Sequence, residues 1–323
     1  MVFGTLTPMN TTKKRLLTGL QSSGDLHIGN YFGALKPFVD MYEEYDSFLM
    51  VADYHALTSL HDPEAMRRNT INVVKDYLAA GVDPKKCIIF RQSDNQDHME
   101  LAWVLNCLVT VPFLELGHAY KDKVVKGMEA NAGLFTYPML QAADITLYGT
   151  DIVPVGEDQR QHLEYTREAV GKFNRAFGDT LKEPETNILE SVGIVPGTDG
   201  GKMSKSKGNI IPLFGTAKEL EKAVMSIVTD SAGDRPEHVY AIHRLLKSEV
   251  ELVPLYEENK GRYGDLKKIL IDDLETFIAP MREKRSQITE DDVKAVLESG
   301  ASQAKAVSSS TLRKVRTAIG MTL

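Results

Sequence analysis

The chain has 323 residues, 42% of them hydrophobic and 26% charged, with a net charge of −7 and two cysteines. That size allows a large core and suggests two domains. The acidic balance speaks against indiscriminate nucleic-acid binding, which needs Lys and Arg over phosphates, while leaving room for a local basic surface, and Cys87 and Cys107 form neither a disulfide framework nor a metal-ligand spacing.

Both cysteines lie in apolar runs and read as buried thiols of a reducing compartment. The N-terminal stretch MVFGTLTPMNTTKKR lacks the apolar core and cleavage site of a signal peptide. The longest apolar run, 101–112, contains Asn106 and is too short to span a bilayer. The expectation is a cytoplasmic protein with no membrane partner.

In chain order, Arg15-Leu16-Leu17 lead as a strand into the corner TGLQSSGDLHIGN, 18–30. Ser22, Ser23, Gly24 and Asp25 are turn formers, with Asp25 a candidate cap. His27, Gly29 and Asn30 then open a helix that Pro37 kinks or divides before about Tyr45. A strand feeding a helix N-terminus exposes backbone N–H groups and a partial positive charge, which suits an anion, most often phosphate.

The run 47–52 is continuously apolar, as in a strand buried on both faces, and ends in Asp53-Tyr54-His55. Asp62-Pro63 starts a helix that Gly81 ends. The run 86–90 is a further buried strand. This strand–helix alternation predicts an α/β fold with a doubly wound, Rossmann-like parallel sheet, with ligands at the carboxyl ends of its strands.

A helical stretch follows over 97–150, in which Trp103 is expected in the core or at a subunit contact. Tyr137, Gln141 and Asp144 fall on one face of the helix 137–148, either as a bonded core network or as a pocket wall. Residues 151–155 read as a strand running into Gly156-Glu157-Asp158-Gln159, a second corner of the opening design. The loop-like stretch 185–209 carries Lys202-Met203-Ser204-Lys205-Ser206 between glycines, a composition suited to a lid over polyphosphate.

Beyond about Thr216 only helices are expected: 216–228, 236–247, 249–258, 262–286, 289–298 and 301–319. This predicts an activation domain over 1–212, with a helical insertion at about 97–135 and the lid at 202–206, and an all-helical domain over 213–323. From Met281 to Leu323 eight Lys and Arg face five acids, a local +3.

The His-Ile-Gly-Asn corner, the distant Lys-Met-Ser-Lys-Ser, ADYHALT, VPVGEDQ and the VTDS of 228–231 together resemble the class I aminoacyl-tRNA synthetases, and among them the tryptophan-specific branch, over nearly the full length. The resemblance implies that the carboxylate of L-tryptophan attacks the α-phosphorus of ATP, and that the adenylate then acylates the 3′ end of tRNA(Trp). It implies Mg²⁺ carried by the nucleotide rather than by a protein metal site. It also implies a homodimer that shares one tRNA, and a helical domain that reads the anticodon.

By the same resemblance, Gln21, Ser22 and Ser23 line the ATP end of the crevice. His27, Gly29 and Asn30 contact phosphates and ribose. Gly156, Glu157 and Asp158 face the adenosine, and Ile194 offers backbone to the adenine. Lys202 and Lys205 hold the leaving pyrophosphate, with Met203, Ser204 and Ser206 completing the lid. The implied catalytic set is His27, Asn30, Lys202 and Lys205. Asp144 is expected to accept the indole N–H beside Gln141, with Tyr137 and Gln159 on the α-ammonium group. Gln141 stands where most tryptophan enzymes carry methionine, and Leu17 and Tyr54 stand where an aromatic and a glutamine are expected. Gln-x-x-Asp on this helix is also a pattern of tyrosine-specific relatives. The alternative readings are a tyrosine-specific synthetase and a synthetase-like paralogue with a binding role.

Overall fold

A computed structural model of the chain describes residues 13–125, 127, 130–154, 160–185, 195–229 and 235–322. Three parallel strands, β1 (Arg15–Leu20), β2 (Asp46–Val51) and β3 (Cys87–Arg91), are ordered β1-β2-β3. Leu16 pairs with Ser47 and Gly19 with Met50, while Phe48 pairs with Ile88.

Alternation along each strand divides the core. Leu16, Leu49, Val51 and Ile89 enter one apolar layer, and Leu17, Phe48, Met50 and Phe90 enter the other. Helices cover both faces, as a parallel sheet requires. The expected α/β, Rossmann-like class is what the structure shows.

The first connection is a broken helix: α1 (Ile28–Asn30), a π turn (Tyr31–Leu35), α2 (Lys36–Met41) and a tight last turn (Tyr42–Glu44). Pro37 lies within the first turn of α2, where its missing N–H costs least. A short α3 (Asp53–Ala56) follows β2. The second crossover helix is α4 (Pro63–Ala79), with Asp62 accepting from the amides of Glu64 and Ala65.

After β3 come α5 (Asp97–Asn106), α6 (Val111–Leu114), α7 (His118–Val125), α8 (Ala132–Leu147) and α9 (Arg160–Phe177). α8 starts a full turn and more before Tyr137, because Asn131 caps it through the Leu134 amide. Of the expected strand at 151–155, the described residues 151–154 form only single bridges, of Ile152 with Leu16 and with Glu185. Pro154 has no N–H to continue a ladder.

The C-terminal helices are α10 (Ala217–Met225), α11 (Glu237–His243), α12 (Glu249–Glu258), α13 (Tyr263–Gln287) and α14 (Glu290–Ala318). The two helices expected at 289–298 and 301–319 are one. Gly300 does not break α14. A Cβ there would lie 1.8 Å from the Ile89 carbonyl oxygen, so the glycine lets α14 rest on the backbone of β3. Leu270, Leu274 and Ile278 of α13 share the core layer of Leu16, and Ala304 and Val315 of α14 share that of Phe90. Helices of the C-terminal part thus pack into both core layers of the sheet.

One further expectation is corrected: Cys107 is exposed, while Cys87 is buried. Of the two places expected for Trp103, its 71% exposure excludes the core and leaves the subunit contact. Both exposed residues lie on the solvent side of the α5 segment, whose apolar composition exceeds what its inner face buries.

Candidate active site

The corner after β1 is built on His27, not on Asp25. The Nδ1 of His27 accepts from the Asn30 amide at 3.2 Å, and the Asn30 side-chain oxygen accepts from the His27 amide at 3.2 Å. This reciprocal cap fixes both side chains. Asp25 is instead an exposed acceptor for the Asn72 side-chain amide at 3.0 Å. The Ile28 amide donates to the Ile211 carbonyl at 3.0 Å, so of the first-turn amides Gly29's is the one left for a ligand. A Cβ at Gly29 would meet His27 Nδ1 at 2.9 Å and the Met203 sulfur at 3.3 Å, so the loop 202–206 sits directly against this turn.

The loop 202–206 is framed on both sides. The Met203 amide donates to the Val195 carbonyl at 3.1 Å, and the Ser204 amide to the Asn209 side-chain oxygen at 2.7 Å. Asn209 in turn donates to Asp199 at 2.6 Å and to the Lys202 carbonyl at 3.1 Å. Downstream, the Leu213 amide donates to the Leu26 carbonyl at 3.0 Å. The loop is therefore stitched to the opening corner, and Lys205 reaches across to donate from Nζ to the Gly24 carbonyl at 2.7 Å. Lys202 and Ser206 are exposed, and the Ser204 and Ser206 hydroxyls lie 2.9 Å apart.

Charge follows from this packing. Burial, and then the nearby Lys205 ammonium, lower the His27 pKa to about 4, so its imidazole is neutral at physiological pH. With Nδ1 accepting, the proton sits on Nε2, a neutral donor beside the turn. Burial lowers the pKa of Lys205, against the opposing pull of Asp25 and Asp76.

Gln21 and Ser23 are exposed, while Ser22 is buried against the Met66 sulfur at 3.2 Å.

The second wall is α8. Tyr137 and Gln141 are half-buried, and the Tyr137 hydroxyl lies 3.2 Å from His162 Nε2. Asp144 is 1% exposed and carries four hydrogen bonds. One carboxylate oxygen accepts from His98 Nδ1 at 2.6 Å and from Gln92 at 2.8 Å; the other accepts from His55 Nε2 at 2.8 Å and from Gln92 at 3.0 Å. Burial would push this carboxyl up, but the bonds from His55 and His98 outweigh it and hold the pKa down to about 2. Gln92 is oriented by the Tyr54 amide, which donates to its carbonyl oxygen at 3.1 Å.

The structure thus brings His27, Gly29, Asn30, Met203 and Lys205 together, and places Tyr137, Gln141 and Asp144 on one helix. Gly156, Glu157, Asp158, Gln159 and Ile194 lie outside the described residues. So do Asp230 and Ser231 of the VTDS segment. Sequence reasoning missed His98, Gln92 and Tyr148, and gave His55 no role. Their one signal was position: His55 and Gln92 follow the carboxyl ends of β2 and β3, where parallel sheets place ligands.

A parallel sheet whose first strand delivers a His-Ile-Gly-Asn corner, with a Lys-Met-Ser-Lys-Ser loop seated on it, defines the class I aminoacyl-tRNA synthetases. The profile of the tRNA synthetases class I (W and Y) matches residues 9–304, and the chain belongs to that family. The tryptophan–tRNA ligase of Fusobacterium nucleatum is 46% identical over 319 residues, which cover 95% of this chain and 98% of that one. The ligase of the same name from Rhodopirellula baltica is 41% identical over 321 residues, covering 95% of this chain and 99% of that one. The crystal structure of Campylobacter jejuni tryptophanyl-tRNA synthetase complexed with ADP and tryptophan superposes with a TM-score of 0.86 at 40% identity, over 95% of this chain and 99% of that one.

Proposed function

We propose that this chain activates L-tryptophan with ATP and transfers it to the 3′ end of tRNA(Trp), as a tryptophan–tRNA ligase. The observation that carries the reading is the seating of Lys205 on the corner that holds His27 and Asn30, across from a wall with a buried, ionised carboxylate. Relatives 46% and 41% identical over nearly the full chain are tryptophan enzymes, which favours tryptophan over tyrosine despite Gln141.

The first step needs no protein nucleophile, because the tryptophan carboxylate attacks the α-phosphorus and pyrophosphate leaves. It needs alignment and charge neutralisation. The neutral His27 Nε2–H, the Gly29 amide and Asn30 address phosphate and ribose; Lys202 and Lys205 follow the charge onto pyrophosphate. Mg²⁺ enters with the phosphates of ATP. Gly156, Glu157, Asp158 and Ile194 are assigned to the adenosine, and Tyr137 and Gln159 to the α-ammonium group. Asp144 accepts the indole N–H. All of its acceptor positions are filled, so the indole takes a place that His55 or the longer Gln92 bond gives up.

The partners in this reading are tRNA(Trp), met by the helical C-terminal part, and a second copy of the chain. Trp103 and Met99, one turn apart on α5, are 71% and 47% exposed and would be covered in a homodimer. Among the described residues no helix is long and apolar enough to cross a membrane. The cytoplasm is the compartment we assign.

The test is ATP–pyrophosphate exchange with each amino acid in turn, followed by charging of tRNA(Trp). Exchange with tryptophan alone, followed by charging, is expected. Exchange with tyrosine alone would overturn the substrate, and no exchange with any amino acid would favour a binding paralogue.

A further inference from the structure

Asp144 is not held by its own helix. His98 Nδ1 donates to it, and because a carboxylate can only accept, the direction of that bond is fixed. The other ring nitrogen of His98 lies 2.8 Å from the Tyr148 hydroxyl, which donates to it. The same hydroxyl accepts from Asn95 Nδ2 at 3.1 Å. Asn95 Nδ2 also donates to the Ser308 hydroxyl of α14 at 2.9 Å. Ser308 donates to Asp97 at 2.6 Å, and Lys305 pairs with the other Asp97 oxygen. The bonds run in a consistent direction: Asn95 Nδ2 gives one proton to Tyr148 and the other to Ser308, whose own proton goes to Asp97. His98, Tyr148, Asn95 and Ser308 are all buried.

We infer that His98, held in its tautomer by Tyr148 and braced through Asn95 on Ser308 of the C-terminal helix, is a positioning residue that aims the Asp144 carboxylate for indole recognition. This rests on the proposed role of Asp144 as the indole N–H acceptor. A carboxylate held by a single helix can rotate about its own side chain. This one is fixed by donors from three other segments, so its direction is set by the fold as a whole. A misaimed acceptor loses the hydrogen bond that separates an indole from an isostere without N–H, while shape-based binding persists.

The experiment measures kcat and KM in pyrophosphate exchange for tryptophan and for its benzothienyl analogue, in which sulfur replaces the indole N–H. The proteins are the parent, Tyr148→Phe, His98→Asn and Asp144→Asn. Tyr148→Phe removes one oxygen from the brace and keeps the ring. We expect its preference for tryptophan over the analogue to fall about tenfold, the worth of one hydrogen bond, through KM for tryptophan. The analogue's own parameters should stay within about twofold. His98→Asn should lower the preference at least as far. Parallel losses on both substrates, or an unchanged preference in Tyr148→Phe, would overturn the positioning role; if His98→Asn fails to fold, Tyr148→Phe decides alone. Asp144→Asn separates the two levels. If it discriminates like the parent, the assignment of Asp144 falls and the inference with it. If it loses discrimination while Tyr148→Phe keeps it, only the positioning role falls.

Discussion

The Lys205 ammonium donates to the Gly24 carbonyl oxygen at 2.7 Å, so two motifs far apart in sequence meet through one hydrogen bond. The contact spends the lysine's charge on a neutral acceptor in a half-buried place, and the lysine's lowered pKa reflects that. In the proposed reaction, departing pyrophosphate would be a far better partner. Replacing Lys205 with Ala should therefore slow adenylate formation by about a hundredfold or more, the scale of losing one preorganised electrostatic group, with tryptophan affinity within about threefold. Single-turnover adenylate formation and equilibrium tryptophan binding check this. Equal losses in both would remove the lysine from the reacting phosphates.

His27 has a pKa of about 4, lowered first by burial and next by Lys205. Its neutral form therefore persists from pH 8 down to below 5, and no activity limb near 6.5 should belong to it. The resonances of its ring nitrogens in the free enzyme should titrate near pH 4. In Lys205→Met the midpoint should move upward by a fraction of a unit, since burial remains. A midpoint near 6.5 in the parent would show an open, solvated ring.

What was legible in the sequence follows from how local each feature is. The opening corner and the lid are contiguous motifs, and α4 announces itself through Asp62-Pro63. β2 and β3 stand out because their runs Phe48–Val51 and Cys87–Phe90 are apolar and buried on both faces. Asp144 was found, yet its partners were not, because His55, Gln92 and His98 come from three segments that converge only in the folded sheet. Asp25 looked like the cap because carboxylates usually cap; His27 takes that place by pairing with Asn30. Apolar composition misplaced Cys107, and for Trp103 it left core and contact surface undivided, since a helix on the outer layer can carry more apolar surface than it buries.

Asp76 of α4 is 1% exposed, pairs with Arg285 of α13, and leaves one carboxylate oxygen with no partner. Burial raises its pKa to about 6 against the pull of Arg285. A folded pKa above the unfolded value means that the native state binds the proton more tightly. Its contribution to stability is therefore full below about pH 4 and is lost as pH rises to about 6. Two units correspond to ~3 kcal/mol at most. Urea unfolding from pH 4 to 7 should show Asp76→Asn gaining on the parent by about 2 kcal/mol across that window. Asp144, with its pKa of about 2, acts in the opposite sense and in a separate window: its stabilisation is present above about pH 4 and lost as pH falls toward 2. A constant offset between Asp76→Asn and the parent from pH 4 to 7 would show that Asp76 ionises normally.

Gly300 sets two effects against each other. Alanine in a helix interior is favoured over glycine by about 1 kcal/mol. Here its methyl would lie 1.8 Å from the Ile89 carbonyl oxygen, which belongs to β3 and cannot rotate away. Either α14 lifts off the sheet or β3 shifts, and overpacking against backbone should cost about 3 kcal/mol or more, which outweighs the helix gain. Gly300→Ala should therefore lower the urea midpoint without changing the slope of the transition. Ser308 lies two turns further along the same helix, so the shift should also raise the tryptophan KM more than that of the benzothienyl analogue. A variant as stable as the parent, or more so, would mean that α14 can slide on β3 and that its contact with the sheet does not set the position of Ser308.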